Sequence, residues 1–402
     1  MENVNSLLEF QMLNFWGDNR DFQLKFEKKV TFITGFNGTG KSTALEAIFN
    51  TLSEPPVLHI KMKQWATRAL LKNRVCVFSC DLGKNNVLKQ TQLSNNVKRI
   101  QNLTGVEDYP IKRIYKILTA GITFPEQTNK KNNSKGIVIA KNLPSDDVEA
   151  ERSIVKITMA STNNPFSNSS LAELISPIFY REEVFFNPKR PYSLLEADTK
   201  KNLLDKSLVL DVTLRELLVS FLSYEKEYEK NNRNKSTDKD AIFDDINSII
   251  NIDEETRAKI FNTLNKHIAT PETEKHPLKK FESIVNQYFS CTGKEMTHDD
   301  SGLLGFIFRK TDTIIPWYNL SRGEKNLLVL LLLALLSNGG NKVFILDEPD
   351  LTLHMEWLKT LVASLVELAP DAQFIIATHS PVLFMNNIDF SVINMMDVIS
   401  HE

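Results

Sequence analysis

A chain of 402 residues with a hydrophobic fraction of 42% is long enough for one domain with an insertion, or for more than one domain, and apolar enough to bury a large core. Its formal net charge of −2 excludes an overall basic field for nucleic acid, so DNA is a possible partner that the charge does not indicate, and only through a local basic patch. Three cysteines, Cys76, Cys80 and Cys291, are too few for a disulfide framework and suit a reducing cytosol. Met1–Asn5 shows neither the basic nor the apolar region of a signal peptide. The longest apolar run, Leu327–Leu336, falls short of the roughly 18–20 residues that cross a bilayer and reads as a core helix. The expectation is a cytoplasmic protein with no membrane partner.

In chain order, Leu7–Phe15 alternates imperfectly and Phe22–Phe26 cleanly, giving two short antiparallel strands that lead into a buried strand, Val30–Thr34. Trp16, at the turn between the first two, is a packing residue or a platform for a base. Ala44, Leu45, Ile48, Phe49 and Leu52 recur at helical spacing. Val75–Phe78 and Ser153–Met159 read as strands, Gln127–Lys135 and Ser161–Ser170 as polar loops. A further sheet-like run, Ile178–Tyr180, continues into Arg181–Phe186.

From about Lys200 to Tyr288 the texture becomes charged and helical. Leu203, Leu204, Leu208, Val212, Leu214, Leu217, Leu218 and Phe221 mark one amphipathic face. Asn231–Lys239 breaks the pattern, and Ile242–Ile268 and Phe281–Phe289 predict more helix. No heptad is sustained, so this is a compact insertion without long coiled-coil arms. Leu303–Phe308 and Ile314–Trp317, separated by a turn at Lys310–Asp312, form a hairpin; Lys342–Leu346 and Phe374–Thr378 are buried strands. The predicted organisation is an N-terminal lobe at 1–199, the helical insertion at 200–295 and a C-terminal lobe at 296–402.

Chemistry concentrates in four stretches. Gly35-Phe36-Asn37-Gly38-Thr39-Gly40-Lys41-Ser42-Thr43 is G-x-x-x-x-G-K-S, a phosphate-binding P-loop, and it has a strand before it and a helix after it. The glycines let successive N–H groups turn inward around phosphate oxygens. Lys41 supplies a charge for the β- and γ-phosphates, Ser42 a hydroxyl for Mg²⁺, and the helix N-terminus its dipole. Leu320-Ser321-Arg322-Gly323-Glu324-Lys325 precedes the apolar helix and reads both as a capping box and as a second phosphate-binding surface. Asp347-Glu348-Pro349-Asp350 tips a buried strand, the Walker B pattern: Asp347 holds Mg²⁺ through its water shell and Glu348 orients the attacking water. His379 ends another buried strand, in Ala377-Thr378-His379-Ser380-Pro381.

These motifs in this order resemble the ATP-binding-cassette class of P-loop ATPases, and more narrowly its chromosome-maintenance, RecF and OLD-type branch. The runs Asp347–His354 and Ala377–Pro381 look most like stand-alone bacterial ATPases of the AAA15/AAA21 type, several of which act in anti-phage systems such as PARIS and Septu. The resemblance covers residues 1–60 and 300–402 well. It implies an α/β ABC-type ATPase head, with a mixed central sheet and N-terminal antiparallel strands, that binds and hydrolyses ATP with Mg²⁺. It also implies a homodimer or higher homo-oligomer in which ATP is sandwiched between Gly35–Thr43 of one chain and Ser321, Arg322, Gly323 and Glu324 of another. In that arrangement Glu348 is the catalytic base, His379 a γ-phosphate switch, Ser42 and Asp347 the metal residues, and Asp350 lies near the dimer seam. The missing arms and the end of the chain soon after His379 argue against a full chromosome-maintenance protein and against an OLD-type nuclease domain. The family's glutamine loop belongs near residue 180, but no glutamine can be assigned to it. Three biological readings follow: a defence ATPase controlling a separate effector nuclease, a RecF-like repair ATPase, and a non-hydrolysing ATP-gated scaffold.

Overall fold

A computed structural model describes residues 6–15, 20–53, 65–73, 75–81, 137–143, 152–159, 171–181, 184–186, 210–230, 277–299, 302–337, 342–385 and 389–400. Trp16, Leu203, Leu204, Leu208, Gln127–Lys135, Ser161–Ser170, Asn231–Lys239 and Ile242–Ile268 lie outside them. The chain divides into two compact units, Met1–Asn202 with Gly339–Leu351 and Asp371–Glu402, and Leu203–Asn338 with Thr352–Pro370.

The first unit is built on two sheets. One is parallel over five strands, in the order β15(Phe390–Asn394), β3(Val30–Thr34), β14(Gln373–Ala377), β13(Lys342–Asp347) and β8(Ser176–Arg181), with β9(Val184–Phe186) added antiparallel at the edge. Its central strands read as near-continuous apolar runs because both faces are covered: β14 is buried at every position and β13 at all but the first. The other sheet is antiparallel: β16(Ile399–Ser400), β2(Arg20–Lys25), β1(Leu7–Phe15), β4(Ala66–Leu71), β5(Cys76–Asp81), β7(Arg152–Met159) and β6(Ile137–Leu143). Between them lies α1(Lys41–Leu52), which touches β4 and β5 on one side and β8, β13 and β14 on the other. A helix buried from both sides must be apolar around most of its girth. Ala44, Leu45, Ala47, Ile48, Phe49 and Leu52 all enter one core with Phe10 and Phe15 of the antiparallel sheet and Ile33, Ile345 and Ile375 of the parallel one. That core fixes the helix, and its N-terminus, beneath the parallel strand ends.

In the second unit, α2 (210–230) presents Leu214, Leu218 and Phe221 to its core. Phe221 meets Phe281 of α3(Pro277–Phe289) at 5.1 Å between ring centroids. An antiparallel sheet, β10(Lys294–His298), β11(Leu304–Phe308) and β12(Thr313–Ile315), packs on α3 through stacked Phe289 and Phe306 rings 4.1 Å apart. The sequence reading gave β11 and β12 but not β10, a strand whose residues are all only part-buried or exposed. Two further helices, α4(Arg322–Leu336) and α5(Met355–Leu368), pack on each other and on α3. The helix carrying the Ser321–Glu324 motif therefore belongs to the same unit as the insertion helices.

Candidate nucleotide site

Register in the parallel sheet assembles the site. Ile33 pairs with Ala377, Ala377 with Asp347, and Asp347 with Arg181, so the C-terminal ends of β3, β14, β13 and β8 finish level. Residues that follow the strands emerge together at that edge, which is where parallel α/β sheets offer a crevice. The crevice is a cleft of about 750 Å³ lined by Phe36, Asn37, Gly38, Gly40, Lys41, Ser42, Thr43, Glu348, Asp350, Leu351 and His379. The strands that lead to the P-loop and to the Walker B carboxylates are not neighbours; β14 lies between them and delivers His379 to the middle.

The loop itself needs glycine where the sequence has it. Gly38 and Gly40 adopt φ of 83° and 86°, and Gly40 caps α1 in the left-handed conformation. Gly35, at φ 143°, leaves no room for a side chain: a Cβ would lie 2.8 Å from Thr39 Oγ1. Thr39 Oγ1 donates to the Phe36 carbonyl at 3.0 Å and closes the loop from inside.

Lys41 Nζ donates to the carbonyls of Gly35 and Phe36 at 3.2 and 3.4 Å and lies 2.6 Å from His379 Nε2. Burial pushes its ammonium pKa down, and Glu348 and Asp347 oppose that. The His379 ring is also 3.5 Å from Glu348 Oε1, and its backbone N–H donates to Glu348 Oε2 at 3.3 Å. Burial, reinforced by Asp350, pushes the Glu348 carboxyl up to about 7, against the pull of the His379 N–H and Lys41. A carboxyl tuned near neutrality is suited to taking a proton from water. Glu348 also sits at φ 49°, a conformation that costs a non-glycine residue energy, and its N–H donates to the Ala377 carbonyl at 2.9 Å.

Ser42 Oγ donates to Asp347 Oδ1 at 3.0 Å. A hydroxyl that lines the cleft and a carboxylate oxygen directly behind it are hard oxygen donors of the kind Mg²⁺ takes, so these two residues fit the ion that accompanies a nucleoside triphosphate. Asp350 points within its own chain: Thr378 Oγ1 donates to Asp350 Oδ1 at 2.7 Å and accepts from Ser380 N–H at 2.9 Å, tying the loop after β13 to the loop after β14.

Arg181 escaped the sequence reading as a site residue. It ends β8, and its guanidinium reaches Asp347, Glu46 of α1 and the Ser42 carbonyl. The local signal was only a cation at a strand end, with nothing to show what that strand paired with.

The Ser321–Glu324 motif lies in the second unit and forms a complete capping box. Glu324 N–H donates to Ser321 Oγ at 3.3 Å and Ser321 N–H donates to Glu324 Oε2 at 2.9 Å. The other oxygen of Glu324 accepts from Thr292 Oγ1 at 3.2 Å and pairs with Lys294. Burial alone would raise the Glu324 carboxyl; the bonds from Lys294 and Ser321 outweigh it and hold the group below the usual range. Gly323 has a packing reason of its own, since a Cβ there would stand 2.6 Å from the Thr352 carbonyl oxygen. Arg322 is exposed in the first turn of α4.

Residues 173–386, more than half of the chain, match the AAA_21 family, described as "AAA domain, putative AbiEii toxin, Type IV TA system". The chain is 23% identical to the Retron Vc95 probable ATPase of Vibrio cholerae serotype O1 biovar El Tor, over 98% of this chain and 75% of that protein. It is 30% identical to the Retron Ec83 probable ATPase of Escherichia coli, over 27% of this chain and 25% of that protein. Among solved structures it is similar to the SMC head domain from Thermotoga maritima, with TM-score 0.38, 13% identity and coverage of 98% and 94% of the two chains. It is likewise similar to an Smc head bound to the C-winged helix domain of ScpA, with TM-score 0.39, 14% identity and coverage of 94% and 91%. Both are loose likenesses.

Proposed function

The chain belongs to the AAA_21 family, and from that premise we propose that it is an ABC-type P-loop ATPase that binds and hydrolyses ATP as a nucleotide-gated switch. The observation that carries the reading is the convergence of Lys41, Ser42, Glu348 and His379 on one cleft, with Asp347 behind Ser42. The P-loop N–H groups and Lys41 bind the phosphates. Lys41 exchanges its carbonyl and His379 partners for phosphate oxygens. Ser42 and Asp347 would hold Mg²⁺, which would supply positive charge to offset the charge developing on the transferred phosphoryl group. Glu348 orients the attacking water and accepts its proton, and His379, between Lys41 and Glu348, is placed to register the γ-phosphate.

In the same reading two chains engage through ATP, with Gly35–Thr43 of one facing Ser321–Glu324 of the other. The capping box is compatible with this, because a capped helix N-terminus keeps exposed N–H groups and its dipole for an anion. Asp350 lies near that seam. ATP supplies differential affinity for the engaged state over the separated one, which is what a switch requires. Two relatives are named as retron probable ATPases, and with the motif resemblance to anti-phage ATPases this favours placing the switch in a defence system; a separate effector, such as a nuclease, is part of the same proposal.

The test mixes two inactive chains, Lys41→Ala and Ser321→Arg. Sites shared between chains give a mixed dimer with one intact P-loop facing one intact signature, so ATPase activity returns. Engineered cysteines beside Thr39 and Arg322 provide a second readout independent of turnover. ATP-dependent cross-links between chains support the reading; the absence of both rescue and inter-chain cross-linking refutes the engaged dimer. ATP-dependent co-purification with a nuclease, without DNA, supports the defence assignment, and tight DNA binding at physiological salt moves it toward repair.

A further inference from the structure

Asp347 is almost completely buried, so water does not set the orientation of its carboxylate. Two protein groups do, and they divide its oxygens. Oδ1 accepts the Ser42 hydroxyl at 3.0 Å, and Oδ2 accepts Arg181 Nε at 2.5 Å. One terminal nitrogen of the same guanidinium pairs with Glu46, one turn along α1 from Ser42, and the other donates to the Ser42 carbonyl oxygen at 3.0 Å. The Arg181 guanidinium carbon lies 5.1 Å from the centroid of the Phe179 ring, two residues back on β8. One side chain thus ties together the Walker B carboxylate, the first turns of α1 and the end of β8.

We propose that Arg181 is a positioning residue for the divalent cation of the nucleotide. It holds Asp347 Oδ1 against Ser42 Oγ, directly behind the cleft lining to which Ser42 belongs, and does not itself line the cleft. The proposal rests on the reading of Ser42 and Asp347 as the metal residues. The geometry calls for arginine in particular. A planar fork can serve two carboxylates and a carbonyl at fixed angles, whereas the ammonium of lysine is a point charge on a flexible stem. Loss of partners that orient metal-binding carboxylates weakens metal affinity by about 10–100-fold.

The full chain is tested with a fluorescent ATP analogue, titrated once in EDTA and once across a range of Mg²⁺ concentrations. Arg181→Ala and Arg181→Lys are expected to bind nucleotide in EDTA within about 3-fold of the wild type. Both should need about 10-fold more Mg²⁺, or beyond, to reach half of the metal-induced tightening. Three results overturn the inference: an unchanged Mg²⁺ requirement, full recovery by lysine, which would make charge alone sufficient, or an equal loss with and without metal, which would make the role merely structural. Should Arg181→Ala fail to fold, Arg181→Lys alone decides the matter by the same criteria. Asp347→Ala separates the two levels of the argument. If it too leaves the Mg²⁺ requirement unchanged, the assignment of the metal residues fails; if it raises the requirement and Arg181→Lys does not, only the role of Arg181 fails.

Discussion

Substituting Lys294 by Met removes the cation beside a carboxylate that has almost no water. Glu324 is 3% exposed and Lys294 16% exposed. Removing one partner of a buried pair costs roughly 3–5 kcal/mol when the remaining charge is left uncompensated. Here Glu324 keeps the Ser321 N–H at 2.9 Å and the Thr292 hydroxyl at 3.2 Å, so a smaller loss, about 2–3 kcal/mol, is expected. At about 2–4 °C per kcal/mol for a domain of this size, the second unit should melt roughly 4–12 °C earlier. Thermal and urea unfolding of the nucleotide-free chain provides the measurement. The double substitution Lys294→Met with Glu324→Gln should recover about 1–2 kcal/mol, because glutamine retains the reciprocal cap but carries no charge to strand. The pH dependence has a defined sign. Glu324 is held below the ordinary carboxylate range, so its contribution is fully present at neutral pH and fades as the pH falls through its folded value; Lys294→Met should flatten that acid limb. A Lys294→Met protein within about 0.5 kcal/mol of the wild type, or a double variant with no recovery, would refute this account of how the signature turn is held.

Glu348→Gln should bind ATP within a few-fold of the wild type and hydrolyse it at least about 100-fold more slowly, whereas Lys41→Ala should weaken binding itself; wild-type turnover in Glu348→Gln would remove it from the role of base. Because kcat/KM reports groups of the free enzyme and Glu348 is pushed up to about 7, kcat/KM should fall tenfold per pH unit well below that value, and a flat profile between pH 5 and 8 contradicts the assignment. Gly35→Ala should weaken nucleotide binding by about 10-fold or more, and Thr39→Ala in the same chain should recover only part, since it removes the 2.8 Å clash but not the strain at φ 143°; full recovery would leave the clash as the sole cause. Any binding of DNA by the isolated chain should be weak and fall steeply with added salt, as filter binding from about 50 to 200 mM would show.

The P-loop, the Walker B tip and the histidine strand were legible because each is a short contiguous motif riding on a buried strand. The apolar runs Val30–Thr34, Lys342–Leu346 and Phe374–Thr378 leave little choice but a parallel sheet covered on both faces. Strand order was not legible, since nothing local says that β14 separates β3 from β13. Arg181 was missed for the same reason: its importance is a matter of register with Asp347 and of proximity to Glu46, 135 residues away in sequence. The strand β10, Lys-Glu-Met-Thr-His, escaped because its side chains are charged or half-exposed and show no clear alternation of apolar residues. The capping box was readable as a pattern at Ser321 and Glu324, but its anchorage to Thr292 and Lys294 depends on a turn and a strand outside the motif.

The left-handed backbone at Glu348 bears on how this protein can change. A glycine there would relax the strain at φ 49° and would be expected to raise the melting temperature, while deleting the carboxylate that faces the cleft. Selection for thermal robustness alone, as in a laboratory stabilisation campaign, would thus tend to erode activity at this position first. The residue best placed to act on water is one that the scaffold would hold more comfortably without its side chain.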